Sequence, residues 1–300
     1  MNDEETSMSE GFTPPGKPDK PLKKMPNDIS YLPFRTTTGM WSDYVHAHNP
    51  NDVVNYLQSL DYGSHVDNVY DCEDRAFWGI AHARSRFPGQ PMAAAIGKAV
   101  GGPFDGQNHA VIAFWAKDRN IYKNFYFDPE VKVSGSAKVK GDLVNFDTKI
   151  LVPFPMWRKN SKSGKQEELP PFNKGFSYQS GAAVLDRSYT LFNADSHNKM
   201  MDFLEKKSYG MPKGPSDPDL SSLFDTHWMK IVEDRVLWVF VHARRKFKGY
   251  ATGMAFGSMA RDNADYALLV IWNDKGEPLL YDIETGLIKS SDFKARTVIV

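Results

Sequence analysis

A thiol, an imidazole and a carboxylate together can run covalent acyl transfer, and this chain offers them at Cys72, His109 and Asp128. Cys72 is the single cysteine, so no intramolecular disulfide can form. A free thiol, with a pKa near ~8.5, is mostly protonated at neutral pH and is a poor nucleophile. A place at a helix N-terminus stabilises the thiolate, and an adjacent imidazolium stabilises it further. The pattern puts Cys72 at the start of a helix, His109 at the entry of a strand and Asp128 at the end of the next strand. Antiparallel neighbours would present histidine and acid side by side at one sheet end, where the acid can fix the imidazole tautomer. Nucleophile, base and orienter would then be complete, with the Cys72 sulfur within hydrogen-bonding reach of the His109 ring. Taken singly, each residue has a plainer reading: Cys72 as a small core filler, His109 as a strand-entry residue, Asp128 as a turn former before Pro129.

The elements that must position these groups occur twice. Cys72-Glu-Asp-Arg-Ala-Phe-Trp-Gly-Ile-Ala-His-Ala-Arg-Ser-Arg-Phe-Pro-Gly89 matches Val232-Glu-Asp-Arg-Val-Leu-Trp-Val-Phe-Val-His-Ala-Arg-Arg-Lys-Phe-Lys-Gly249, nine of eighteen positions being identical at an offset of 160 (232 − 72). Upstream, Asn55–Gly63 matches Asp202–Gly210; downstream, Ala110–Trp115 matches Ala267–Trp272 and Phe127–Glu130 matches Tyr281–Glu284. Matched segments in one order with varying gaps indicate a duplicated domain whose period is too long for a solenoid. Each copy reads as a short helix (Val53 to Leu60; Lys199 to Lys206) closed by Tyr-Gly, a second helix (Cys72 to Arg86; Val232 to Lys246), then strands at Ala93–Ile96, Ala110–Trp115 and Phe125–Asp128 and their counterparts. Asp118-Arg-Asn and Asn273-Asp-Lys-Gly read as hairpin turns. A helix packed on an antiparallel sheet makes this an α+β protein, a tandem duplication. The expected divisions are a disordered tail over 1–28, a catalytic-type copy over 30–155, a linker or loop over 156–175 and a degenerate second copy over 176–300.

One copy serves as a control for the other. Glu73, Asp74, Arg75, Trp78, His82 and Arg84 all have twins in the second copy, which points to architecture: acids at the positive end of the helix dipole, a packing indole, a structural imidazole. Cys72 and His109 do not. Their counterparts are Val232 and, allowing for a loop three residues shorter, Tyr266, whereas Asp128 is matched by Asp282. Both changes fall on the two groups a cysteine–histidine pair needs.

At these residues the sequence resembles the transglutaminase-like and papain-like cysteine peptidase superfamily, through Cys72-Glu-Asp-Arg-Ala76, Asn108-His-Ala110 and Phe127-Asp-Pro129. Within it the chain is most similar to the C-terminal protease domain of fungal agglutinins, over residues 50–135 and, in degenerate form, 200–285. The resemblance implies a papain- or transglutaminase-like unit and a thiol protease, a hydrolase, with Cys72, His109 and Asp128 as catalytic residues. It also brings in calcium as a cofactor, which nothing in the sequence itself requires. The acid of the agglutinins is a glutamate, whereas this chain offers Asp128 or Glu130, and no β-trefoil lectin repeat is visible. The expected activity is cysteine-dependent acyl transfer on a peptide or protein substrate, the second copy being a pseudoenzyme. An inert tandem module that binds a peptide or partner, and a transglutaminase or deamidase, are the alternatives.

Bulk properties narrow the partners. Lysine plus arginine equals aspartate plus glutamate, 37 against 37, which leaves no electrostatic footprint for nucleic acid or an anionic membrane. No window approaches the ~18 consecutive apolar residues of a bilayer span, and the first residues carry no apolar run of the secretory kind. A cytoplasmic protein, or one exported without a signal peptide, is the expectation; the oligomeric state is left open.

Overall fold

The computed structural model describes residues 48–66, 70–100, 102–118, 121–131, 145–154, 194–229, 231–262, 264–273, 275 and 277–299. The expected tail (1–28) and linker (156–175) lie outside these residues, as do parts of both hairpin turns. The N-terminal half runs α1 (Pro50–Ser59), α2 (Cys72–Arg86), β1 (Met92–Val100), β2 (Asn108–Asp118), β3 (Ile121–Phe127) and β4 (Asn145–Phe154). The C-terminal half runs α3 (Ala194–Glu205), α4 (Pro218–Leu223), α5 (Val232–Lys246), β5 (Thr252–Met259), β6 (Asp265–Trp272), β7 (Pro278–Asp282), β8 (Gly286–Ile288) and β9 (Phe293–Ile299). Helices packed on antiparallel sheets make an α+β fold.

The strand orders are β3-β2-β1-β4 and β8-β7-β6-β5-β9. Apart from the short β8 at one edge, each strand of the first sheet has a counterpart in the same place in the second. The register agrees as well: Gly97 faces His109, and Gly257 faces Tyr266. A bulge falls between Ile96 and Gly97 in one sheet and between Phe256 and Gly257 in the other.

Local chemistry explains the helix ends. Asn49 caps α1 by accepting from the Asn51 amide at 2.8 Å, and Pro50 fills the first turn, where its missing N–H costs nothing. Both short helices stop before the Tyr-Gly pair expected to close them. Gly63 (φ 71°) and Gly210 (φ 54°) instead take the left-handed conformation in the turn that follows. Helix α3 starts at Ala194, ahead of the Lys199 suggested by periodicity. Strand β1 outruns the expected Ala93–Ile96 because its pairing with β4 continues to Val100.

Helices α2 and α5 pack against each other between the two sheets. Phe77 and Phe240 meet edge-on at 5.8 Å, in a core shared with Ile112, Phe114 and Phe127 of one sheet and Leu269, Ile271 and Tyr281 of the other. Alternate residues of the strands form a separate cluster on the far face of each sheet, around Trp115 in the first and Trp272 in the second. Two reciprocal buried ion pairs join the halves. Arg84 donates to both oxygens of Asp234, and Arg244 donates to both oxygens of Asp74 at 3.0 and 3.3 Å. Asp74 and Asp234 are therefore more than dipole partners at the helix starts; each neutralises a cation from the other half. Among the described residues, no helix is long and apolar enough to cross a membrane.

Candidate active site

Helix α2 begins at its N-cap Asp71, whose amide donates to the Asp74 carboxylate at 3.4 Å, and Cys72 is the first helical residue, as expected. Its sulfur donates to Glu73 Oε2 at 3.1 Å and lies beside the backbone amide of Ala110 on β2. Burial pushes the thiol well up; the Glu73 and Asp71 carboxylates push it further, and the Ala110 amide pulls the other way. The helix start was expected to lower this pKa. In the folded chain, desolvation and two flanking acids outweigh the dipole, so the resting sulfur is a neutral S–H.

His109 is buried at the entry of β2, and its Nε2 lies 3.0 Å from Asp128 Oδ2 across the β2–β3 hairpin. The imidazole stacks on Phe104 with centroids 4.6 Å apart, which fixes the ring plane. Asp128 is held in turn, its Oδ1 accepting from the Glu130 amide at 2.8 Å. Glu130, the other acid considered, turns to Arg75 and to His65 Nδ1 at 3.1 Å. Asp128 is thus the carboxylate that faces the imidazole.

The structure brings Cys72 against Ala110, the residue next to His109, and joins His109 to Asp128. It does not join Cys72 to His109 by a hydrogen bond; the thiol is engaged by Glu73 instead. With Nε2 committed to Asp128, Nδ1 is the ring nitrogen left for the sulfur.

No protein-family model matches the chain, and no curated protein matches it. Among solved structures the chain is similar to a PSL1a–E64 complex, at 10% identity and a TM-score of 0.25, over 70% of this chain and 94% of that one. It is also similar to the Polyporus squamosus lectin bound to a human-type influenza-binding epitope, at 11% identity and a TM-score of 0.24, over 66% of this chain and 72% of that one. Likenesses of this size assign neither fold nor activity, and the site rests on its own geometry.

The matching end of the second sheet has different chemistry. Tyr266 stands where His109 does, and its hydroxyl donates to Asp282 Oδ2 at 3.2 Å. Asp282 also accepts from Thr285 Oγ1 at 3.0 Å and from the Glu284 amide at 2.8 Å, the last repeating the Asp128–Glu130 turn. Ile231 and Val232 replace Asp71 and Cys72 at the start of α5. The acid-bearing turn is common to both halves; the thiol and imidazole are not.

Two features escaped the sequence reading. Glu73 has a twin in Glu233, so comparison of the copies assigned it to the helix dipole, yet in the first half it holds the thiol. The cross-half ion pairs also went unseen, although a buried acid and a buried arginine ten positions apart in both helices is a usable signal. Potential ligand atoms of Asp71, Cys72 and Glu73 lie within 4.8 Å of one another. Two carboxylates and a thiol fall short of the roughly six to eight oxygens calcium takes, so these residues do not fit that ion.

Proposed function

We propose that this chain is a cysteine-dependent acyl-transfer enzyme, a peptidase of the transglutaminase-like kind, with a catalytically inert second half. The observation that carries the reading is the buried His109–Asp128 pair, 3.0 Å apart, beside the Ala110 amide on which the Cys72 sulfur rests. Cys72 attacks the carbonyl carbon of a peptide, and its proton passes to His109, held as the correct tautomer by Asp128. Collapse of the tetrahedral intermediate expels the amine, which takes that proton and leaves a thioester. Water, deprotonated by His109, then releases the acid and restores the thiol. With an amine in place of water, or a glutamine amide as acyl donor, the same steps give cross-linking or deamidation.

Because the resting thiol is neutral and bound to Glu73, the cycle begins by exchanging that contact for His109. The test is hydrolysis of a mixed peptide substrate by the full chain: wild type cleaves and Cys72→Ala does not. Turnover by Cys72→Ala equal to wild type would remove the assignment.

The half-buried, upward-shifted thiol favours a second reading, in which both halves are inert and together bind a peptide or partner. Under it the wild-type chain is as inactive as Cys72→Ala, while both retain the same peptide affinity.

A further inference from the structure

The two halves meet over a cavity of about 520 Å³, well away from Cys72 along α2, and both halves line it. Its size lies within the range of small-molecule sites. Leu60 from the first half and Phe203 from the second supply apolar wall. Trp78, His82 and His242 form its aromatic side: His82 packs on Trp78 at 4.2 Å, and His242 lies 4.9 Å from the same indole.

Three polar atoms in this wall, Trp78 Nε1, His82 Nε2 and His242 Nε2, are buried without a hydrogen-bond partner among the described residues. Such groups are normally satisfied, and a ligand is one way to satisfy them. The pseudo-symmetry sharpens the point. Trp238, the counterpart of Trp78, donates its Nε1–H to Gly210 O at 2.6 Å, so an open indole donor is not a demand of the architecture.

Charge at the rim is selective. Arg245 spends its guanidinium on Asp61, donating to the backbone oxygen at 2.9 Å and the carboxylate at 2.6 Å, and lies over Trp78 at 4.3 Å. Lys246 lines the same cavity, exposed, 5.1 Å from the Phe203 ring centre and in no ion pair among the described residues. Burial pushes both imidazoles down, His82 to about 3 and His242 to about 4, so they are neutral and add no charge. Asp61 also lines the cavity, its carboxylate held by Arg245. With Lys246 as the cation left over, neutral imidazoles and an apolar wall, the site suits a monoanion with an apolar body better than a phosphate dianion.

We infer that this inter-half cavity is a binding site for a small aromatic or branched-chain carboxylate, its anion at Lys246 and its apolar body against Leu60 and Phe203. The site is independent of Cys72 and stands whether or not the chain is an enzyme.

Titration of the full chain with phenylacetate, followed by calorimetry and tryptophan fluorescence, tests it. Expected are saturable one-to-one binding, at least tenfold weaker binding of phenylacetamide, the same loss in Lys246→Gln, and unchanged affinity in Cys72→Ala. Trp78→Phe, which keeps the ring and removes the N–H, should also bind more weakly while its circular dichroism matches wild type. Absence of saturation, equal affinity for the neutral amide, indifference to Lys246→Gln, or displacement by an equal concentration of inorganic phosphate would each overturn the assignment.

Discussion

Arg84 and Asp234 stand 150 residues apart in sequence, in different halves of the chain, and form a two-point ion pair inaccessible to water. Arg244 and Asp74 repeat it in the opposite sense. The four side chains make α2 and α5 one buried unit, so the two halves should unfold together.

Removing one member of such a pair leaves a buried charge without its partner, which costs about 3–5 kcal/mol, while removing both costs far less. Asp234→Ala should therefore lower stability by roughly that amount in denaturant titration, and Arg84→Met with Asp234→Leu should recover most of it. Burial already pushes the Asp234 carboxyl up against the pull of Arg84, which agrees with a pair whose removal as a whole is cheap. Independent transitions for the two halves would contradict the shared unit.

The His82–His242 contact, 5.6 Å between rings, sets a pH dependence. Both folded-state values, about 3 and about 4, lie below the ordinary ~6.5, so the unfolded chain takes up protons first as pH falls. The contribution is complete above ~6.5 and declines below it, at up to about 1.4 kcal/mol per pH unit for each histidine, until the folded values are reached. Stability curves of wild type and of His82→Gln with His242→Gln should coincide above pH 7 in their pH trend and diverge between 6 and 4, the variant being flatter.

Glu73 holds the thiol proton by a 3.1 Å contact and by its charge. Glu73→Gln removes the charge, so the Cys72 pKa should fall and alkylation should quicken several-fold at pH 7–8. An unchanged or slower rate would show that burial alone governs the thiol.

The second half lacks two of the three groups, and Tyr266 occupies the histidine place with its hydroxyl on Asp282. In a Cys72→Ala background, Val232→Cys with Tyr266→His should show faster alkylation at position 232 than Val232→Cys alone. Equal rates would mean that the second sheet end cannot serve a cysteine.

Much of this was legible in the sequence. The matched segments located the helices, and the loop three residues shorter matched Tyr266 with His109, which the strand register bears out by setting them opposite Gly257 and Gly97. The hairpin brings His109 and Asp128 to one sheet end, where they meet diagonally just beyond the last paired residues, Ile112 and Phe127. Less legible was what happens between elements. Arg84 was assigned to the architecture because it has a twin in Arg244, but its partner lies in the other half, where no local pattern points. The Cys72 pKa was likewise out of reach, because it depends on how far the helix start sinks into the core, whereas the dipole acts at any depth. His82 was read as structural, and its place among Trp78, Trp238 and His242 follows from the docking of α2 on α5.

The most direct test is the rate at which iodoacetamide labels Cys72 in the native chain at pH 7, with His109→Ala and Asp128→Asn beside it. Since burial and Glu73 keep the sulfur protonated, native labelling requires His109 to take the proton. Wild type should be alkylated to one equivalent, with the rate falling about 10²–10⁴-fold in His109→Ala and by a smaller factor in Asp128→Asn. A thiol that reacts only after unfolding, or at the same rate in all three proteins, would contradict Cys72 as the nucleophile.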